Sequence, residues 1–281
     1  MQRTKSTPGL AYERSGDSGP EVLLVMGLGM RGAVWRPQID RLQRDHRLVW
    51  FDNRGIGESD AIEGFPSMRD FARDALRVAD DAGFERFHLV GVSLGGMISQ
   101  ELALLAPSRL RSLTLIATHA GGAGGLVPHP RGLYHFARSF TQRGEARVDA
   151  LQQLLYPERF LRETDRAALA ERIAAQTGAP ADRSAALRQL VAVARHDTRS
   201  RLREVSAPTL VLKPEEDELV RPSHADVLAS RIPGARLHAV RGAGHGLMFQ
   251  CADEVAEAIR QHVAASDRSP TAPSARRQPR S

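Results

Sequence analysis

The chain has 281 residues, 42% of them apolar, and a single cysteine. This length supports one large hydrophobic core, or a core with an added lobe, and excludes a small disulfide-stapled module. Half of the formal charge of +6 lies in the tail 266–281, where four Arg stand against one Asp. This Pro, Ser and Arg-rich tail is predicted to be disordered. Aromatic residues make up only 5% of the chain, so nucleic acid is not expected as the main partner.

The sequence predicts a protein that does not cross a membrane. It has no run of eighteen apolar residues, and the basic N-terminus is not followed by the apolar segment of a secretory signal. Cys251 has no second cysteine with which to form an internal disulfide, and no Cys and His cluster has zinc-ligand spacing. We therefore expect a cytoplasmic chain with no metal and no cofactor, whose partner is a small-molecule substrate.

Short runs rich in Val, Ile and Leu predict strands that are buried on both faces, because they lack the alternation of a half-exposed strand. Helical patterns lie between them at 68–82 and 97–105, and a last one follows at 253–265. This order predicts an α/β fold, with a mostly parallel sheet and helices on both faces. The runs lie at 21–26, 47–52, 87–92, 113–118, 209–213 and 236–240.

The interval 119–205 contains no strand-like run. It begins with the glycine-rich segment HAGGAGGLVPHPRG and continues with helical patterns at 164–176 and 184–196. We predict that this interval is a helical cap, inserted into a core formed by 1–118 and 206–265. The glycine-rich start is either a hinge for a lid or a long surface loop.

Ser93 lies in the pattern GVSLG, directly after the run 87–92 and directly before a helical pattern. This context is typical of a nucleophile elbow, in which the serine takes a strained conformation and the flanking glycines leave room for it. The helix that follows directs its N–H groups at the serine, so the backbone amide of Leu94 is a candidate oxyanion donor.

A serine nucleophile needs a base, and the base needs a carboxylate that orients it. Among ten histidines, His245 is the preferred base, since it lies between glycines in a loop after the last strand-like run. His119, which lies just past another run, is the alternative.

Asp217 is the preferred acid. It follows the run 209–213, and its short side chain on a tight loop can hold a histidine ring at a fixed distance. Taken alone, this segment also fits an exposed acidic turn. The order Ser93, Asp217, His245, with each residue just past a strand, favours the catalytic interpretation.

Four segments resemble the α/β-hydrolase superfamily, over roughly 10–118 and 206–265. LLVMGLGMRGAVW resembles the loop after the family's third strand, and FDNRGIGESD resembles the turn after the next strand. GVSLGG resembles the elbow, and GAGHGL resembles the histidine loop. The resemblance implies the fold, the Ser-His-Asp triad, the cap position, and an oxyanion hole formed by the amides of Leu28 and Leu94. The turn at Asp52 is interpreted as a structural ionic corner.

Two positions depart from the family pattern. Met26 stands where a histidine usually precedes the first glycine of the oxyanion loop, so the supporting hydrogen bonds are expected to differ. Lys213 and Pro214 replace the usual His-Gly before the acid loop, which leaves Glu216 as an alternative to Asp217.

These residues predict a serine hydrolase that cleaves a small to medium, largely apolar carboxylic ester or lactone through an acyl-enzyme. Carbon–carbon bond hydrolysis and cofactor-free perhydrolysis use the same triad in this superfamily and remain alternatives. A non-catalytic ligand-binding protein is the alternative of a different class. Six apolar residues flank the predicted site and together indicate an apolar pocket, although each taken alone is more typical of a core residue: Met30, Leu94, Met97, Leu219, Met248 and Phe249.

Overall fold

The computed structural model describes residues 1–122, 128–177 and 183–268. Within these residues, the strands are β1 (Gln2–Arg3), β2 (Ala11–Ser15), β3 (Glu21–Val25), β4 (Arg47–Phe51), β5 (Phe87–Val92), β6 (Leu110–Ile116), β7 (Thr209–Pro214) and β8 (Arg236–Val240). They form one sheet in the order β1-β2-β4-β3-β5-β6-β7-β8. The strands β3 to β8 pair in parallel, whereas β2 pairs with β1 and β4 in antiparallel fashion. The predicted mostly parallel sheet is confirmed.

The six predicted runs correspond to β3 through β8, and the first two strands were not predicted. The expected burial on both faces is wrong for β8, because it lies at the edge of the sheet and Arg236, Leu237 and Ala239 are exposed. The sequence of β2 is AYERS, in which Ala11 and Tyr12 are buried but Glu13 and Arg14 are exposed. Such a strand lacks the continuous apolar character of the central strands, so an apolar-run criterion does not detect it.

Helices cover both faces of the sheet. Along β3, Leu23 and Val25 pack on one apolar cluster, and Val22 and Leu24 pack on another. Because both sets are fully buried, the run in the sequence is continuously apolar. The helices are α1 (Arg36–Leu42), α2 (Met68–Asp81), α3 (Leu94–Leu105), α4 (Pro130–Thr141), α5 (Gly144–Leu155), α6 (Glu158–Glu163), α7 (Arg166–Thr177), α8 (Arg183–Arg195), α9 (Ser223–Arg231), α10 (Leu247–Gln250) and α11 (Ala252–Arg268). Helices α2, α3 and α9 pack on the first cluster, and α1, α10 and α11 pack on the second.

The helices α4 to α8, here called the helical insertion, lie between β6 and β7. They contain an apolar cluster of their own, which includes Leu151, Tyr156 and Leu161. Phe249 of α10 and Met30 pack against this cluster, so the insertion contacts the loops above the sheet. The predicted glycine-rich hinge includes residues 123–127, which lie outside the described residues.

The last helix is longer than the pattern 253–265 predicts, because α11 continues to Arg268. Asp267 is ion-paired with Arg111 at the start of β6, at 3.2 Å, which gives these last residues a tertiary contact. Residues 266–268, which were predicted to be disordered, are therefore helical, and 269–281 lie outside the described residues.

Candidate active site

Ser93 occupies the sharp turn between β5 and α3. Its φ of 55° lies in the left-handed region, which is costly for a residue with a Cβ. Hydrogen bonds hold the turn from both sides. The Ser93 N–H donates to the carbonyl of Ile116 at 2.9 Å, and the Thr118 hydroxyl donates to the carbonyl of Ser93 at 2.7 Å. A strained backbone conformation that surrounding contacts hold in place in this way is characteristic of functional sites.

The elbow requires glycine at positions 91 and 95, because other backbone atoms lie where a Cβ would be. A Cβ on Gly95 would lie 2.0 Å from the carbonyl oxygen of Val25 in β3. A Cβ on Gly91 would lie 2.3 Å from the carbonyl oxygen of Gly95. Helix α3 therefore packs on the sheet at a distance that only glycine permits, and its first amide, that of Leu94, directly follows Ser93. This amide has no partner within the helix, because the first N–H groups of a helix never do.

The predicted base and acid are in direct contact. His245 Nδ1 and Asp217 Oδ2 are 2.7 Å apart, and the Asp217 side chain is fully buried. The other carboxylate oxygen, Oδ1, accepts the N–H groups of Leu219 and Val220, both at 2.8 Å. An ionised Asp217 can only accept, so Nδ1 carries the proton and Nε2 is left as the acceptor. Glu216, the alternative acid, is exposed to solvent.

The loop that carries His245 is braced on two sides. The Gly244 N–H donates to Gln250 Oε1 at 3.0 Å, and the Gly246 N–H donates to the carbonyl of Leu155 at 2.7 Å. A Cβ on Gly246 would lie 2.5 Å from the Tyr156 ring. The glycines on either side of the histidine thus allow the end of α5 to pack directly on this loop.

The predicted oxyanion loop, which contains Leu28, is held by two amide side chains. Asn53 Nδ2 donates to the carbonyl of Met26 at 3.0 Å, and Asn53 is fully buried. On the other side, the Gly29 N–H donates to Oε1 of Gln189, a buried residue of α8. Asn53 therefore supplies a support for the loop in a chain that has methionine in place of the usual histidine at position 26.

The turn that begins at Asp52 has structural partners. Asp52 Oδ1 accepts the N–H of Gly32 at 2.7 Å. Arg54 forms two hydrogen bonds to Asp74 of α2, at 2.6 and 2.7 Å, and the Asp74 side chain is 1% exposed. Burial raises the pKa of Asp74, while the adjacent arginines lower it. This paired corner fixes the turn from which Asn53 reaches the oxyanion loop.

His119, the alternative base, is placed differently from His245. It is buried, and its Nδ1 accepts the N–H of Gly121 at 3.0 Å. Burial, together with the nearby His196 and His224, lowers the pKa of His119 to about 3. A ring held neutral in this way, with one nitrogen occupied by a backbone amide, is a packing group.

Ser93 and His245 line the same cavity, whose volume is about 1270 Å³. This volume exceeds that of typical small-molecule sites, which hold roughly 300–1000 Å³. Loops above the sheet form the floor of the cavity, and helices of the insertion form its walls. Of the six predicted pocket residues, four line it: Met30, Leu219, Met248 and Phe249. The prediction is wrong for the side chains of Leu94 and Met97, which pack in the core beneath α3.

Across 1–122, 128–177 and 183–268, no group of three or more His, Cys, Asp or Glu side chains is arranged to hold a metal ion. In the same part of the chain, no helix is both long and apolar enough to cross a membrane.

Comparisons with known proteins agree with this fold. The family model described as alpha/beta hydrolase fold matches residues 20–250. A "Putative carbamate hydrolase RutD" of Azorhizobium caulinodans is 35% identical over 238 residues, which is 84% of this chain and 88% of that protein. The chain therefore belongs to the α/β-hydrolase family, and it is a hydrolase enzyme of that fold.

Two solved structures have a similar fold. A hydrolase from Pseudomonas aeruginosa superposes with a TM-score of 0.80 at 26% identity, covering 93% of this chain and 97% of that one. A thermophilic esterase from Thermogutta terrifontis, with malate bound, has a TM-score of 0.79 at 26% identity. It covers 95% of this chain and 99% of its own.

Several site residues were missed by reasoning from the sequence. Thr118, Asn53 and Gln189 support the elbow and the oxyanion loop through contacts between distant parts of the chain. Of these three residues, Asn53 was the easiest to identify from the sequence, because it lies within the FDNRGIGESD motif. Gln189 lies in a helical pattern, and nothing in its local sequence distinguishes it from a solvent-facing glutamine.

Proposed function

We propose that the protein is a serine hydrolase that cleaves a carboxylic ester or lactone through an acyl-enzyme, with Ser93 as nucleophile, His245 as base and Asp217 as orienting acid. The observation that carries the proposal is the hydrogen bond of 2.7 Å between His245 and the buried Asp217, on a loop that shares a cavity with the strained Ser93. A core histidine would not need a carboxylate held by two backbone amides.

The reaction begins when His245 Nε2 removes the hydroxyl proton of Ser93, whose oxygen attacks the substrate carbonyl. The backbone amides of Leu28 and Leu94 stabilise the oxyanion. The imidazolium, stabilised by Asp217, gives its proton to the leaving alcohol as the acyl bond breaks. Water then enters, and its oxygen attacks the acyl carbon as it loses a proton to His245. His245 returns this proton to Ser93 Oγ as the acid leaves. In this mechanism the helical insertion acts as a cap that shields these steps from bulk water.

A fluorophosphonate probe tests the nucleophile directly. We expect covalent labelling of the wild-type protein and none of Ser93→Ala. Ser99→Ala is a matched control, because the Ser99 hydroxyl donates to the carbonyl of Gly95 within α3 and removing it leaves no orphan donor. Failure to label the wild type, or equal labelling of Ser93→Ala, would refute the proposal in favour of a ligand-binding protein.

A substrate panel of aryl and alkyl esters, lactones, carbamates and β-diketones identifies the bond that is cleaved. The names of the RutD relatives favour carbamates as the second candidate, because attack on a carbamate carbonyl uses the same triad and oxyanion hole. Turnover of a β-diketone would instead indicate carbon–carbon bond hydrolysis, and halide oxidation with peroxide would indicate a perhydrolase. Only turnover that is lost in Ser93→Ala identifies the substrate.

A further inference from the structure

Arg147 of α5 is a half-buried cation on the wall of the cavity that contains Ser93 and His245. Its Nε donates to the carbonyl of Ser139 at 3.2 Å. Within the described part of the chain, no carboxylate lies within ion-pair distance of Arg147. Its two terminal amino groups, which are the groups that bind carboxylates side by side, therefore have no anionic partner among these described residues.

The acidic residues nearby are engaged elsewhere or face solvent. Asp149, two residues along the same helix, pairs with Arg166 at 2.7 Å and with Arg138 at 3.5 Å. Glu145 is exposed at the start of α5. Burial lowers the pKa of Arg147 and no neighbouring charge offsets this, yet a guanidinium stays protonated at neutral pH. The first turn of a helix also disfavours a cation, so the hydrogen bond to the Ser139 carbonyl is the stabilising contact that the described residues give to this guanidinium.

A second guanidinium lies on the same cavity. Arg172 of α7 stacks on the ring of Phe249, with its central carbon 3.1 Å from the ring centroid. Phe249 belongs to α10, which follows the His245 loop. Between these polar groups the cavity wall is apolar, formed among others by Val148 and Leu151 of α5. The cavity thus combines an aliphatic wall with half-buried positive charge.

We propose, on the basis of the proposed function above, that the substrate is an ester or lactone that also carries a carboxylate apart from the bond that is cleaved, and that Arg147 binds this carboxylate. An aliphatic segment of the substrate lies along the wall between Arg147 and the triad. The planar guanidinium fork fits a carboxylate through two parallel hydrogen bonds, which strengthens both binding and orientation. Arg147 is then a specificity-determining residue, and the chemistry at Ser93 is unchanged.

Paired esters test this proposal. Mono-p-nitrophenyl suberate is compared with p-nitrophenyl octanoate, which differs by one carboxylate in the acyl part. In the same way, 4-acetoxybutanoate is compared with butyl acetate, which differs by one carboxylate in the alcohol part. For at least one pair we expect wild-type kcat/KM to be about tenfold or more higher for the acidic ester. Arg147→Met should abolish that preference and leave turnover of the neutral ester unchanged. Arg143→Met, which removes an exposed arginine of the same cavity, should keep the preference.

Equal wild-type rates within both pairs would overturn the proposal, as would an Arg147→Met variant that loses both esters of a pair equally. Calorimetry provides a readout that does not need turnover: suberate should bind to Ser93→Ala and bind at least tenfold more weakly to Ser93→Ala with Arg147→Met. Equal binding to the two proteins also overturns the proposal. If no ester is cleaved and no probe labels Ser93, the proposed function fails, and the calorimetry still decides whether Arg147 binds a carboxylate.

Discussion

Replacing Gln189 by Met should lower kcat while leaving KM and the fold nearly unchanged. Gln189 lies in α8 of the helical insertion, and its Oε1 accepts the N–H of Gly29 at 3.0 Å. Its Nε2 donates to the carbonyl of Arg54 at 3.4 Å. Methionine has a similar length and volume but can make neither bond. The peptide that follows Leu28 then loses its restraint, and with it the fixed direction of the Leu28 amide.

The size of the expected kcat loss follows from the two hydrogen bonds of Gln189. Complete loss of one oxyanion donor costs about 10²- to 10³-fold in kcat. The Leu28 amide is still present in the variant but is less well oriented, so we expect a loss of about tenfold or somewhat more. Stability should fall by about 1 kcal/mol, because Gly29 lies at the cavity, where water can replace the lost partner.

Two further variants distinguish a role of Gln189 in positioning the Leu28 loop from a general loss of stability. Gln189→Glu keeps an oxygen acceptor for the Gly29 N–H and should retain more of kcat than Gln189→Met. Gln100→Met removes another buried glutamine, which bonds to the carbonyl of His119 and to Thr198, and should cost stability without a selective loss of kcat. The kcat of each variant is measured by steady-state kinetics on an ester whose cleavage requires Ser93. Wild-type kcat in Gln189→Met, or equal losses in the Glu and Met variants, would refute the reasoning.

Three other changes test separate parts of the structure. Asp217→Asn should lower kcat by about 10³- to 10⁴-fold, because the amide favours the wrong histidine tautomer, whereas Glu216→Gln at the exposed neighbour should have little effect on the same steady-state assay. Gly95→Ala should cost more than about 3 kcal/mol of unfolding free energy or prevent folding, since its Cβ meets Val25. Gly64→Ala, at a φ of +61° with open space, should cost only about 1–2 kcal/mol in the same denaturant titration. Burial lowers the pKa of His196 from 6.5 to about 4, so between these pH values the unfolded chain protonates this histidine and the folded chain does not. The free energy of unfolding therefore decreases as the pH falls from 6.5 to about 4. His196→Phe should reduce the slope of unfolding free energy against pH by about 1.4 kcal/mol per pH unit there, and an unchanged slope would contradict this assignment.

The central strands of the sheet could be predicted because they are buried on both faces, which produces uninterrupted apolar runs such as 87–92. The position of Ser93 could be predicted for a related reason, since the strand before it and the helix after it are both local patterns. The sequence favoured Asp217 over Glu216 through its short side chain on a tight loop. The structure separates the two residues by burial, with Asp217 only 4% exposed and Glu216 exposed, and local sequence does not encode this difference. The catalytic roles of these residues stay predictions until labelling and kinetics are measured.

The missed features depend on contacts between distant segments. Leu94 and Met97 were assigned to the pocket because they lie near Ser93 along the chain, yet the helical period turns both side chains into the core. Gln189 is separated from Gly29 by 160 positions, and no local pattern reports that pairing. The cavity wall at Arg147 likewise exists only once α4 and α5 are packed together.

The hydrogen bond between Gly246 and Leu155 has a consequence for protein engineering. A chimera that exchanges the helices α4 to α8 for those of another hydrolase would also replace the residues against which the histidine loop rests. The graft can keep turnover only if its first junction falls after Pro157, or if the donor offers a carbonyl at the same place, and only if Gln189 of α8 is retained beside Gly29. Exchange of α6 and α7 alone is therefore the better starting point for a chimera that stays active.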